Sequence, residues 1–187
     1  KIFFLLILSL VVVFQTSAQR AQGSWQDYLS FTNATDVAVG SNMIFCATEG
    51  GLFYLDQQDN SINKYSELSD FSIQTIAYSP DNEVLVVAYN NSNIDLVYGS
   101  RVVNLSDIMR KTISADKTIN SISFNGSEAY LACGFGIVVI NLNKQEIKDT
   151  YYIGDGGATL VVNDVDFYGE YIYAATDEGL LMALAEG

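Results

Sequence analysis

Short apolar runs that end on a small residue recur four times along this chain. Aligned on the alanine near the end of each run, they are the segments of Ala47, Ala88, Ala132 and Ala175, spaced 41, 44 and 43 residues apart. A shorter run that alternates apolar and polar residues precedes each segment, with turn-forming residues between the two. Two strand-like runs joined by a turn predict a β-hairpin, and recurrence at a nearly fixed period predicts a repeat architecture.

A glycine follows the aligned alanine at the same offset in three of the four repeats, at Gly51, Gly136 and Gly179. Glycine suits a turn that needs a positive φ or a close backbone approach. An apolar third run follows each of these glycines. A weaker fourth strand is predicted in each of the first three repeats, at Ile62–Tyr65, Arg101–Leu105 and Glu146–Tyr152. Each unit then has four short strands in about 43 residues, which is the length of a β-propeller blade.

The predicted fold class is therefore all-β, a β-propeller of four-stranded blades. Val84–Ala88 and Ile137–Ile140 are apolar without alternation, as in strands covered on both faces. A β-sandwich is the alternative all-β fold, but a sandwich does not predict the same alanine-to-glycine offset three times. One helical turn is predicted at Leu105–Lys111, for which a loop is the alternative.

The length of the chain limits how many blades it can form. Its 187 residues hold three complete blades and the first strands of a fourth, about three and a half in all. Propellers close with roughly 4–8 blades. We therefore expect residues 19–187 to be the N-terminal part of a longer β-propeller domain, so that the propeller is incomplete.

The first eighteen residues have the pattern of a secretory signal peptide. Lys1 precedes thirteen residues that are apolar except for Ser9, and small residues at Thr16 and Ala18 fit cleavage after Ala18. The apolar run is short for a membrane-spanning helix, which needs about 20 residues. We predict that residues 1–18 are a signal peptide and that the mature chain is exported; an uncleaved N-terminal anchor is the alternative.

Charge and composition exclude several classes of function. Twenty-two acidic residues against nine basic ones give a formal charge of −13, without a basic stripe to contact phosphates, so nucleic acid is not an expected partner. The chain has no histidine, which excludes serine–histidine and cysteine–histidine nucleophile systems and histidine metal sites within it. We predict no catalytic, metal-binding or cofactor-binding residues, and the ligand-binding residues are left unassigned.

Three local motifs come close to functional patterns without completing them. Gly134-Phe135-Gly136 lacks the third glycine and the helix of a phosphate loop, so a repeat turn explains it better. Gly154-Asp155-Gly156-Gly157 lacks the further acidic ligands that Ca²⁺ needs. Asp164 and Asp166 lie on one side of a strand, where a solvated face is more typical than an acid–base pair.

The cysteines and tyrosines also have structural interpretations. Cys46 and Cys133 belong to non-neighbouring repeats, too far apart for a disulfide, and we predict two unpaired, buried thiols. Four tyrosines are candidates for stacking on sugar rings, although a role in half-buried strands is the favoured interpretation. They are Tyr89, Tyr98, Tyr151 and Tyr152.

Two levels of family resemblance follow from these segments. Val37–Asp56, which contains Ala47-Thr48-Glu49-Gly50-Gly51-Leu52, resembles the two-component-regulator type of propeller repeat. The longer strings resemble the N-terminal β-propeller of the PorZ family, a component of the type IX secretion system of Gram-negative bacteria. Those strings are Trp25–Ser30 leading into Thr35–Val39, Ala88–Leu96 and Cys133–Val139.

The PorZ resemblance implies a non-enzymatic role in the periplasm or at the outer-membrane cell surface. It implies that the protein works with the PorU sortase and with other secretion-system proteins. It also implies that the protein binds anionic lipopolysaccharide and delivers it to the sortase. The family also has a second propeller and a C-terminal β-sandwich domain. A periplasmic sensor propeller of a hybrid two-component regulator is the alternative function, and a propeller enzyme such as a glycan lyase or hydrolase is a third.

Overall fold

The fold consists of β-sheets placed side by side, each made from one consecutive stretch of chain. The computed structural model describes residues 32–185, so the predicted signal peptide at 1–18 and the Trp25–Ser30 segment lie outside the described residues. Sheet 1 contains β1 (Ala34–Val39), β2 (Met43–Thr48), β3 (Gly51–Asp56) and β4 (Ile62–Tyr65); sheet 2 contains β5 (Ile73–Ser79), β6 (Val84–Tyr89), β7 (Ile94–Tyr98) and β8 (Arg101–Leu105); sheet 3 contains β9 (Ile119–Asn125), β10 (Glu128–Cys133), β11 (Gly136–Asn141) and β12 (Glu146–Tyr151); sheet 4 contains β13 (Val162–Tyr168), β14 (Tyr171–Thr176) and β15 (Gly179–Leu184).

Every sheet is an antiparallel meander in which the strands follow chain order. The only helical pieces among residues 32–185 are the single turn α1 (Asp107–Arg110) and a 3₁₀ turn at Asp155–Gly157. The predicted fourth strands at Ile62–Tyr65 and Arg101–Leu105 have the predicted bounds, and the third ends one residue early, at Tyr151. The helical turn within Leu105–Lys111 is also confirmed.

The strand register confirms the repeat alignment residue by residue. In each sheet the aligned alanine pairs with one position of the first strand, and an irregularity in the pairing lies immediately beside that pair. These first-strand positions are Asp36, Thr75, Ser121 and Asp164. The four sheets are therefore copies of one unit, and a position in one sheet can be compared directly with its counterpart in the next.

The sheets stack through their faces and do not form two opposed layers. The first strands lie beside one another in the order β1, β5, β9, β13. Separate apolar clusters lie between sheets 1 and 2, sheets 2 and 3, and sheets 3 and 4. All six residues of β6 and the apolar residues of β11 are buried, as predicted for strands covered on both sides. This radial order is that of a β-propeller of about three and a half blades, and it excludes the sandwich alternative.

The prediction of two buried thiols is wrong for one of them. Both cysteines are free, and Cys133 is fully buried between sheets 2 and 3. Cys46 is only half-buried. Its neighbour Ala47 faces sheet 2, and strand alternation therefore turns Cys46 to the opposite face of sheet 1, beside the exposed Val37. No described sheet covers that face.

The repeated glycines adopt the backbone conformation that their position predicted. Gly51, Gly136 and Gly179 have φ values of 144°, 146° and 122°, a region that L-residues rarely adopt. At Gly136 the backbone of the fourth strand, β12, also approaches closely. A Cβ on residue 136 would lie 2.2 Å from the Tyr151 carbonyl oxygen. At Gly126, in the turn between β9 and β10, φ is 56° and a Cβ would meet nothing within 4 Å among the described residues.

These two glycines separate backbone strain from steric contact. We expect Gly126→Ala to lose about 1 kcal/mol of unfolding free energy, since only the positive φ opposes the methyl group. Gly136→Ala should lose several times more, because the methyl group also collides with the backbone of β12. Urea unfolding of both variants measures the difference. Equal losses would contradict the close approach of β12 to Gly136.

Candidate functional site

A cleft of about 840 Å³ opens between sheets 1 and 2. It extends from the turns that join the first two strands of each sheet outwards to β4 and the β7–β8 turn. Its lining comprises residues 40–43, 64–67, 82–83 and 97–100, together with Phe45, Tyr54 and Tyr78. Concave sites that combine aromatic side chains with a few polar groups are typical ligand sites, so this interblade cleft is the candidate functional site.

Aromatic rings form the apolar part of the interblade cleft. Phe45 is buried and stacks on Tyr78 from the neighbouring sheet, with ring centroids 5.9 Å apart and planes inclined by 25°. Its ring also lies 6.2 Å from that of Tyr54. Gly40 leaves room for this arrangement, since a Cβ there would lie 3.3 Å from the Phe45 ring and 3.4 Å from the Tyr78 ring.

The phenol hydroxyls of the interblade cleft fall into two groups. The Tyr65 hydroxyl donates to the Gly99 carbonyl at 2.7 Å, joining sheet 1 to sheet 2, and the Tyr98 hydroxyl donates to the Leu142 carbonyl of sheet 3 at 2.7 Å. The hydroxyls of Tyr54 and Tyr78 have no hydrogen-bond partner within residues 32–185. Half-buried rings with free hydroxyls can present both an apolar face and a polar edge to a ligand.

A fully buried carboxylate holds the polypeptide beside the interblade cleft. Asp95 in β7 accepts hydrogen bonds from the Tyr89 hydroxyl at 2.6 Å, the Ser69 backbone N–H at 2.7 Å and Asn104 Nδ2 at 2.8 Å. Burial, followed by the hydrogen bond to Asp95, raises the pKa of the Tyr89 phenol far above its usual value. This network fixes the segment from β4 to β5 against sheet 2, directly after cleft residues 64–67.

The structure divides the four tyrosines proposed from the sequence. Tyr98 lines the interblade cleft, with the Arg101 guanidinium 4.8 Å from its ring centroid. Tyr89 is buried, and its hydroxyl donates a hydrogen bond to Asp95. Tyr151 and Tyr152 lie at the end of β12 and beyond, where Tyr152 accepts a hydrogen bond from Lys111 Nζ at 3.3 Å. Sequence reasoning missed Phe45, Tyr54, Tyr65 and Tyr78, although strand alternation places Phe45 and Tyr54 on the same face as Ala47.

The motifs weighed as possible chemical sites have structural roles. Asp164 and Asp166 are exposed, and each accepts a hydrogen bond from the backbone N–H of the following residue. Gly134–Gly136 forms the predicted repeat turn, and Asp155–Gly157 is an exposed turn between sheets 3 and 4. Within the described residues no group of three or more acidic or cysteine side chains is arranged to hold a metal ion.

Neither cysteine is an activated nucleophile. Burial raises the pKa of the Cys133 thiol to about 12. Burial is also the main cause of a raised pKa at Cys46, with the Asp36 carboxylate as a second cause. A thiol with a raised pKa supplies little thiolate near neutral pH, which is the opposite of a catalytic cysteine.

The family of the chain follows from comparison with known proteins. The sequence profile of the N-terminal β-propeller domain of PorZ, from the type IX secretion system, matches residues 44–186. The chain belongs to the PorZ N-terminal β-propeller family. No curated protein gives a significant match.

Solved structures agree with the profile. PorZ of Porphyromonas gingivalis, described as an essential bacterial surface component of the type IX secretion system, superposes with a TM-score of 0.77 at 26% identity, covering 87% of this chain. The match spans only 22% of that PorZ chain.

Two further solved structures are similar to this chain in fold alone. The extracellular domain of the hybrid two-component system BT4673 from B. thetaiotaomicron gives a TM-score of 0.65 at 14% identity, over 90% of this chain and 22% of that one. The designed protein Ika4 gives a TM-score of 0.63 at 10% identity, over 88% of this chain and 100% of that one.

In the part of this PorZ-family chain that the structure describes, no helix is long and apolar enough to cross a membrane.

The two thiols should differ in reactivity. In native protein at about pH 8, we expect a thiol reagent to modify Cys46 slowly and Cys133 only after unfolding, because the thiolate is the reacting form and Cys133 is both inaccessible and held protonated. Mass spectrometry of the labelled peptides follows each site, and Cys46→Ser is the control that should leave the native protein unlabelled. Fast labelling of Cys133 in folded protein would contradict its burial between sheets.

Proposed function

We propose that this chain is the first propeller region of a non-enzymatic component of the type IX secretion system, acting at the bacterial surface. In this proposal residues 1–18 are a signal peptide and residues 19–187 are the N-terminal part of the propeller domain. The protein assists a PorU-type sortase by binding anionic lipopolysaccharide and delivering it. The supporting observation is the family match, which covers residues 44–186.

Electrostatics limits how such a chain can bind an anionic polysaccharide. The formal charge of −13 repels a polyanion at long range, so steering by net charge works against the complex. Affinity must then come from short-range contacts between side chains and sugar rings. Salt screens long-range repulsion more than it weakens such contacts.

The interblade cleft offers contacts of this kind. The rings of Tyr54 and Tyr78 line it on either side of Phe45 and have hydroxyls without a partner among residues 32–185. Its charged residues are Lys64, Glu67 and Glu83, which leave it far less acidic than the chain as a whole. We propose that sugar rings of the polysaccharide stack here, with the amide of Asn82 and the backbone of residues 40–42 beside them.

Substitution of the two free tyrosines tests the cleft. In the full-length protein, we expect Tyr54→Ala and Tyr78→Ala each to weaken binding of purified anionic lipopolysaccharide about tenfold, since a stacking ring is lost. Binding is measured by a pull-down titration or by calorimetry. Tyr152→Ala is the matched control, because Tyr152 is half-buried like Tyr54 and Tyr78 but lies after β12, away from the cleft. Thermal melting checks that Tyr78→Ala remains folded despite its loss of contact with Phe45.

Salt dependence supplies an independent result for the same complex. Raising salt from about 0.05 to about 0.5 M should leave binding unchanged or strengthen it, because this chain, which holds the cleft, and the polysaccharide both carry net negative charge. Binding that falls steeply with salt, or that is equal in Tyr54→Ala, Tyr78→Ala and Tyr152→Ala, would exclude the cleft as the saccharide contact. Absence of any lipopolysaccharide binding by the full-length protein would exclude the proposed delivery role.

A sensor propeller of a two-component regulator is the second candidate. The BT4673 likeness favours it only at the level of fold, since the identity is 14%. The two functions differ in what the remaining polypeptide must contain. A transmembrane helix and a kinase in the complete reading frame would favour the sensor, whereas a second repeat array with a β-sandwich domain would favour the secretion component.

A further inference from the structure

Arg101 lies at the outer end of the interblade cleft, and its neighbours fix the orientation of its side chain. It is the first residue of β8 and pairs with Tyr98 across the turn Gly99–Ser100. Its guanidinium lies 4.8 Å from the centroid of the Tyr98 ring, and its Nη1 donates to Gln145 Oε1 of sheet 3 at 3.1 Å. The Tyr98 hydroxyl is itself bound to the Leu142 carbonyl at 2.7 Å. The guanidinium is therefore held against the ring at the edge of sheet 2.

Most of the hydrogen-bonding capacity of Arg101 is unused. A guanidinium carries five N–H donors in one plane, and within residues 32–185 only Nη1 of Arg101 has an acceptor. The residue is exposed, and no acidic side chain of the described chain forms an ion pair with it. A guanidinium that is oriented by an aromatic ring and has exposed donors matches the paired oxygens of a phosphate or a carboxylate.

Other basic side chains of the described residues are held differently. Lys144 and Lys148 form ion pairs with glutamates. The ammonium of Lys117 donates to three backbone carbonyls. Arg110 is exposed at the end of α1, and its side chain has no partner in the part of the chain that the structure describes. Beside the interblade cleft, Arg101 thus combines a fixed orientation with an unpaired positive charge, in a chain whose formal charge is −13.

The β7–β8 turn leaves an open route from the interblade cleft to Arg101. Tyr98, Gly99 and Ser100 line the cleft, and Arg101 follows them directly in the chain. Gly99 has a φ of 58°, and a Cβ at this position would meet nothing within 4 Å among the described residues. Because glycine has no side chain, a series of linked sugars that stacks in the cleft can continue over the turn towards the guanidinium.

We propose that Arg101 binds an oxyanion of a saccharide, a phosphate or a carboxylate group, whose neighbouring sugar rings stack in the interblade cleft. This inference rests on the proposed function and names the residue that selects an anionic polysaccharide over a neutral one. The guanidinium donates to the oxygens of the anion while it remains stacked on Tyr98. Such charge-assisted hydrogen bonds are roughly twice as strong as neutral ones. They offset, at one point, the repulsion between the polysaccharide and the acidic chain.

A comparison of charged and neutralised polysaccharide tests Arg101 in the full-length protein. Purified anionic lipopolysaccharide is used intact, after removal of its phosphate groups, and after reduction of its carboxyl groups. We expect Arg101→Gln to weaken binding of the intact form about tenfold, since a charge-assisted contact is lost. Arg101→Lys keeps the charge but not the planar donor arrangement, and it should weaken binding about threefold. Arg110→Gln is the matched control and should change affinity less than about twofold.

Removal of the anionic group that Arg101 binds should abolish the difference between Arg101→Gln and wild type. The treatment that lowers wild-type affinity to that of Arg101→Gln identifies the oxyanion as phosphate or as carboxylate. Tyr54→Ala, in contrast, should lose the same factor with intact and neutralised forms, because stacking does not depend on the charge of the saccharide. If Arg101→Gln loses an equal factor with every form of the polysaccharide, Arg101 only supports the turn and the proposal is wrong.

Salt should act differently on wild type and on Arg101→Gln. In wild type, salt weakens the contact between Arg101 and the anion while it relieves the repulsion between the net charges. In Arg101→Gln only the repulsion remains to be screened. Between about 0.05 and about 0.5 M salt, binding by Arg101→Gln should therefore strengthen more than binding by wild type. A smaller gain in the variant would contradict an ionic role for Arg101.

Chemical modification of wild-type protein covers the case in which Arg101→Gln does not fold. Phenylglyoxal modifies exposed arginines, and mass spectrometry of the peptides follows each site. Saturating lipopolysaccharide should slow modification of Arg101 at least about fivefold and leave that of Arg110 unchanged. Equal rates at Arg101 with and without lipopolysaccharide would overturn the proposal.

The inference and the proposed function can fail separately. Wild-type protein that binds no lipopolysaccharide would exclude both of them. Binding that is normal in wild type and unaffected in Arg101→Gln would exclude Arg101 as the anion contact and leave the delivery role in place.

Discussion

The structure depends on the need of each small sheet to bury two apolar faces. Burial of apolar surface is the main favourable contribution to folding, at about 25 cal/mol per Å². A meander of four short strands cannot cover either of its own faces, so its stability comes from its neighbours. Sheet 2 shows the result most fully, since all six residues of β6 are buried between sheets 1 and 3. The glycine turns, the regular spacing and the aligned alanines all serve to keep these faces in register.

This dependence on neighbours explains which features the sequence predicts. Periodicity and turn residues are local, and they gave the bounds of β4 and β8, the positive φ of Gly51, Gly136 and Gly179, and the radial order of the sheets. Cys46 was assigned wrongly because its burial depends on whether a sheet covers the outer face of sheet 1. The pattern of a strand shows which residues share a face, but it does not show which faces have neighbours.

The candidate site was less predictable for a related reason. Tyr54 and Tyr78 come from different repeats and meet only through Phe45, so no local motif marks them. Asp95 was equally hidden, because an acidic residue in a short strand is normally exposed, and its three donors come from two strands and a linker. A buried carboxylate is tolerated there because each donor offsets part of its desolvation cost.

Contacts between sheets in this repeat are of two kinds, and they have different consequences. The apolar contacts recur at equivalent positions, since Leu52, Ile94 and Ile137 each pair with the aligned alanine and are each buried between sheets. The polar contacts between first strands do vary: Asp36 binds a hydroxyl and an N–H, whereas Asn120 donates to the Val162 carbonyl at 2.7 Å and Ser123 to the Val165 carbonyl. A carboxylate can only accept, whereas an amide or hydroxyl can donate, so each interface matches an acceptor in one sheet to a donor in the next. The polar contacts between first strands therefore differ from one interface to the next, whereas burial of the apolar faces recurs at all three interfaces.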